Sequence, residues 1–218
     1  MPVATGRATI IDVGTPLGTP EQARHWLAAA GEVELSAGLE ILNRALHAFR
    51  LVTTDPHLNS VGRQQTLVAR IGFGVGEQVA DGLWTDAREL HNRPSRQRRT
   101  RVLEPQARLA GVLAGRERIL ACEELALRAR LDLDQGRDRE AALQVVVALD
   151  AALAELASDR AAPMLEDRLM ELRGQRDAAA LAGQAALAGP LGDSERETVV
   201  FTLSRIEAAL RARAVANA

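Results

Sequence analysis

The tightest constraint on this chain lies in its second half, where apolar residues recur at alternating steps of three and four. Ile119, Cys122, Ala126, Ala129 and Leu133 follow this spacing up to Gly136, and Ala142, Val145, Leu149, Ala152 and Leu156 repeat it from a start near Asp138. Such spacing puts one apolar stripe on each of two helices. Two long helices joined by one glycine-containing turn have to run antiparallel, so 116–157 is predicted to be a helical hairpin with its stripes facing inward. A further helix is expected over about 162–188 from Leu165, Leu169 and Leu172, ahead of an Ala- and Gly-rich stretch. A last one, capped by Asp193 or Ser194, carries Val199, Leu203, Ile206 and Leu210. Pro105 can open a short helix that Gly115 closes.

Composition points the same way. The 218 residues include 40 Ala and 31 Leu, about a third of the chain, with three Phe, two Trp and no Tyr. Ala, Leu and Arg lead the helix propensities, and the aromatic residues that favour strands are scarce. All 27 basic residues are Arg, a usage that resembles proteins of GC-rich bacterial genomes.

In the first half, Thr19 before Pro20 with Gln22 three positions on marks a helix start, and Gly31 a stop near residue 30. Leu35, Leu39, Leu42, Leu46 and Phe49 then form an amphipathic stripe running to about Thr53, closed by Asp55-Pro56. Residues 1–18 read as an extended arm or edge strand around Ile10, Ile11 and Val13. Over about 66–90, the alternation of Leu67, Ala69, Ile71 and Phe73 and a second run from Leu83 to Leu90 predict a small β-hairpin, with a helical turn over Glu77–Ala80. A broken helix is the alternative. The expected fold is therefore mainly α, a multi-helix bundle built from antiparallel hairpins, with one small β-hairpin in the N-terminal half.

Charge divides the chain into three parts. Residues 1–92 are net acidic, as are 102–218, whereas 93–101 holds Arg93, Arg96, Arg98, Arg99 and Arg101 with no acid among them. We expect an N-terminal helical unit over 1–92, an Arg-rich linker or loop over 93–101, and a C-terminal bundle over 102–218. Clustered guanidinium groups suit phosphate or an acidic protein surface. Against nucleic acid stand the lack of interleaved aromatic residues and a pI near 6.1.

Gly72, Gly74 and Gly76 invite comparison with phosphate-binding loops, where glycine lets the backbone approach an anion, and Trp84 lies close by in sequence. The dinucleotide pattern fails at Glu77, and a chain without lysine has no Gly-Lys-Ser/Thr triplet. His25, His47, His57 and His91 show no metal-ligand spacing, so no metal or cofactor is expected. Glu123, Glu124, Asp132 and Asp134 read as solvated helix faces, Cys122 as a small buried hydrophobe, and Trp26 and Trp84 as packing aromatics. No nucleophile elbow occurs.

Over 122–155, Leu125, Ala129, Gly136, Ala141 and Ala148 occupy positions that resemble one tetratricopeptide repeat. Asp132 and Leu153 depart from that pattern and no second copy follows. The resemblance implies a helical scaffold that binds another protein. Taken together, these features predict a non-catalytic, cytoplasmic interaction or scaffolding protein whose partner is another protein or a second copy of itself, without membrane insertion. Two alternatives are nucleic-acid binding through the five arginines, and a small-molecule enzyme or sensor with a pocket between helices near Gly72 to Trp84.

Overall fold

Thr19 Oγ1 accepts the N–H of Gln22, and Pro20 occupies the first helical position, so α1 (Pro20–Ala29) begins where its capping residues put it. The computed structural model describes residues 6–14, 16–90 and 108–216. The chain divides into two compact units, Met1–Arg96 and Gln97–Ala218.

In the N-terminal unit α1 is followed by α2 (Glu32–Thr53), β1 (Ala69–Phe73) and β2 (Asp86–Leu90). The two strands pair antiparallel, from Ala69 opposite Leu90 to Phe73 opposite Asp86. Ala69 and Ile71 point inward, as the alternation requires, and pack with Leu27, Ala30 and Leu90. The hairpin reading is thus correct for 66–90, with two adjustments. Leu67, outside the strand, is exposed, and the second strand starts at Asp86 because the N–H of Leu83 is committed to Gln78 O and that of Thr85 to Phe73 O. The turn between the strands holds a 3-10 turn over Glu77–Val79. No strand forms over 6–14 or 16–18.

Two arginines fasten this small unit. Arg88 on β2 donates to the carbonyls of Leu27 and Ala30, taking up acceptors that the end of α1 leaves unpaired. Arg63 donates to Leu90 O at 3.1 Å and pairs with Glu32 at 3.2 Å. Asn43 holds the backbone of Val61 in both directions, accepting its N–H at 2.8 Å and donating to its carbonyl at 3.1 Å.

The C-terminal unit is all helix: α3, described over 108–113, then α4 (Ala121–Asp134), α5 (Asp138–Ala157), α6 (Glu166–Arg173), α7 (Arg176–Ala188) and α8 (Asp193–Ala216). The α4/α5 hairpin is as expected, turning at Gly136, whose φ of 69° is a conformation glycine adopts without penalty. Cys122, Ala126, Ala129 and Leu133 of α4 and all five stripe residues of α5 are buried. Ile119 is exposed, since α4 starts only at Ala121. The single helix expected over 162–188 is three pieces: a 3-10 turn over Ala162–Met164, α6 and α7. The break falls at Gly174, where the chain tightens into a turn as Gln175 N–H bonds Leu172 O. Asp193 is the first helical residue of α8 rather than its cap.

Small residues set how closely these helices approach. Ala179, Ala182, Gly183 and Ala186 form the buried face of α7, which packs on α5. A side chain at Gly183 would begin 2.8 Å from Val146 Cγ2, inside contact distance. In a chain without lysine, arginine forks carry the links between helices: Arg130 to Glu207 joins α4 to α8, Arg205 to Glu171 joins α8 to α6, and Arg196 to Asp138 joins α8 to α5.

Candidate functional site

The long face of α2 is the feature that the fold leaves unfinished. Its Leu stripe, the cleanest pattern of the N-terminal half, is only half-buried at Leu35, Leu39, Leu42 and Leu46, and Phe49 is 58% exposed. The one buried residue among its 22 is Asn43. Beside the stripe, Ile41 and Val52 are exposed, Val52 at 83%. The described part of this unit buries seven apolar residues, only four of them larger than alanine, and leaves thirteen large ones exposed. Scattered exposed apolar groups are ordinary, whereas several along one helix make α2 the candidate surface of this unit. The sequence showed the stripe but gave no sign that little would cover it.

Of Gly72, Gly74 and Gly76, Gly72 lies against Trp84. A Cβ at Gly72 would stand 2.6 Å from Asp86 O and 2.7 Å from Trp84 Cε3, and one at Gly74 would stand 2.6 Å from Val79 Cγ2. The room these glycines provide is therefore filled by the chain's own Trp84, β2 backbone and Val79. Gly76 has φ of 77° and open space around it. Trp84 is half-buried, and Trp26 packs against the small core. A shallow groove of about 200 Å³ lies in the other unit, between α5 and α7, lined by Val146, Leu149, Asp150, Arg176 and Ala179. It is smaller than the roughly 300–1,000 Å³ of typical ligand pockets. Arg93, Arg96, Arg98, Arg99 and Arg101 lie outside the described residues, as does His91. Among the described residues no group of three or more His, Cys, Asp or Glu side chains could hold a metal ion.

The acidic residues of α4 correct the sequence reading. Glu123 and Asp132 do not lie on a solvated face. Glu123 Oε1 is shared by Arg213 at 3.1 Å and Arg108 at 2.6 Å, and Asp132 is bound by Arg137 at 2.6 Å. Arg213, 8% exposed, also meets Asp159 at 2.8 Å and donates to Arg118 O at 3.4 Å. A buried guanidinium is tolerated because carboxylates and a carbonyl surround it. Arg213 is 90 residues from Glu123, so no local pattern reveals the pair.

Cys122 sits in the first turn of α4, a helix N-terminus that the sequence reading did not place beside it. Such a position ordinarily favours a thiolate. Here burial pushes the thiol up to about 12, and the neighbouring Glu155 carboxylate adds to the effect. The geometry makes Cys122 a packing residue and not a nucleophile.

Comparison of the chain with protein-family models, with curated proteins and with solved structures returns no match. Among the described residues no helix is long and apolar enough to cross a membrane.

Proposed function

We propose that this chain is a non-catalytic α-helical interaction protein that self-associates through the exposed side of α2. The observation that supports it is the exposure of Ile41, Phe49 and Val52 on one side of a helix that buries only Asn43. Fully burying such a side chain against a partner contributes about 1.5–3 kcal/mol, and only the surplus over the roughly 4–15 kcal/mol cost of association appears as affinity. The buried, raised Cys122 thiol and the chain-filled space at Gly72 and Gly74 fit a role without chemistry at those residues. A single buried cysteine and a lysine-free, Ala- and Leu-rich composition fit a bacterial cytoplasmic protein.

Size-exclusion chromatography with light scattering tests the reading. The wild type is expected at a multiple of 23.4 kDa, and Phe49→Glu with Val52→Glu is expected at 23.4 kDa with unchanged helix content. A wild-type monomer at every concentration would overturn self-association.

The second reading, contact with nucleic acid through Arg93, Arg96, Arg98, Arg99 and Arg101, is supported by five positive charges set between two acidic flanks. It requires an affinity for DNA or RNA that falls steeply with salt and disappears when the five become Ala.

A further inference from the structure

The stretch 108–119, which leads into α4, is attached to its bundle by charge. Its large apolar residues Leu109, Leu113 and Ile119 are all exposed, Val112 is half-buried, and the one buried residue is Gly111. Apolar anchoring begins only at Leu120, 5% exposed. Side-chain links from this stretch to the bundle converge on one place, and the Arg118 guanidinium also acts on the Glu155 carboxylate of α5. Arg108 reaches Glu123, Arg118 offers its carbonyl to Arg213, and Arg213 meets the same oxygen of Glu123. Within the stretch, Arg108 also pairs with Glu117 at 3.6 Å.

We propose that residues 108–119 form a strap held by a charge lock centred on Glu123, and that the strap leaves the bundle and unwinds while α4 to α8 stay folded. A segment anchored by buried leucines cannot lift without exposing a core. One anchored by guanidinium and carboxylate releases groups that water solvates well, so its opening lies at the low end of the local unfolding scale. The lock has an inner and an outer half. Arg213 and Asp159 are each about 10% exposed at the side chain and stay paired, whereas Arg108, at 43%, is the half that parts. Glu123 belongs to both halves, which makes it the residue through which the end of α8 senses the strap. The strap's own turn reports its state: the N–H groups of Ala114, Gly115, Arg116 and Glu117 bond to carbonyls of Ala110, Val112 and Gly111, and so short a stretch does not hold its turn once detached.

Hydrogen–deuterium exchange on the full chain tests this. In Glu123→Gln, which keeps the side-chain shape and removes the charge, amides 114–117 are expected to exchange about tenfold faster. Arg108→Gln, which breaks only the outer half, is expected to do the same while amides of α5 and α7 keep wild-type rates, and Glu124→Gln, on an exposed neighbour, to do nothing. Unchanged exchange over 114–117 in both lock variants would overturn the proposal. So would equal acceleration of α5 in Arg108→Gln, since the strap would then open only with the bundle.

Discussion

The carboxylate of Glu155, in the last turn of α5, accepts the backbone N–H of Cys122 at 2.9 Å and, through its other oxygen, that of Ala121 at 3.0 Å. One side chain thus caps the start of α4 from the partner helix, using two of the four donors that a helix start leaves open. Burial alone would raise this carboxyl, but the two amides, together with the Cys122 thiol and the Arg118 guanidinium, hold it below its ordinary value of 4.5. A carboxylate depressed in the folded state contributes stability that is complete above the unfolded value and is lost as pH falls through the folded one. The denaturant midpoint is therefore expected to drop below about pH 4.5, and Glu155→Gln to flatten part of that drop. At neutral pH Glu155→Ala is expected to cost about 1–2 kcal/mol, read from urea unfolding followed by circular dichroism. A flat acid profile in the wild type would contradict the capping role.

Cys122 gives a second, independent check on the same corner. Its thiol is fully buried and pushed up to about 12, so at pH 8 almost none of it is thiolate and none is accessible. An aromatic disulfide reagent is expected to label the native protein only at the rate at which it opens, and the urea-unfolded protein within seconds to minutes. Rapid stoichiometric labelling without denaturant would show that the start of α4 is looser than its capping implies.

How far the sequence disclosed these features depends on range. The stripes of α4 and α5 were legible because residues three and four apart share a face whatever surrounds them. The break at Gly174 was not: Leu172 and Ala179 are seven apart, so the apolar phase runs through the turn undisturbed. Glu123 was read as solvated because its partner Arg213 arrives from the far end of the chain. The unburied side of α2 was illegible for a related reason, since a stripe declares a face without declaring what lies on it.

The packing of α7 on α5 predicts a coupling between Gly183 and Val146. Glycine inside a helix costs about 1 kcal/mol relative to alanine, a penalty retained here because a Cβ would meet Val146 Cγ2 at 2.8 Å. Gly183→Ala alone is expected to gain nothing or to destabilise by about 1 kcal/mol. Combined with Val146→Ala, it is expected to fare better than the sum of the two single changes by at least about 0.5 kcal/mol. Additive effects in that double-mutant cycle would mean that α7 has room to move.

Thr202 provides the last test, and its sign is opposite to that of most core changes. The residue is fully buried on α8 between Phe201 and Leu203, and its hydroxyl oxygen has no hydrogen-bond partner among the described residues. A buried polar atom without a partner costs about 1–3 kcal/mol in lost hydration, and no bond within the bundle offsets it. Valine has nearly the same shape and no such oxygen, and both are β-branched residues of similar helix propensity. Thr202→Val is therefore expected to raise stability by about 1–2 kcal/mol and to raise the melting temperature by several degrees. Thr202→Ala separates this effect from packing: it removes the hydroxyl and also a methyl group, so the cavity it leaves is expected to cancel much of the gain. If Thr202→Val instead destabilised the protein by a similar amount, the hydroxyl would have to be satisfied in solution, with a buried water as the partner to look for.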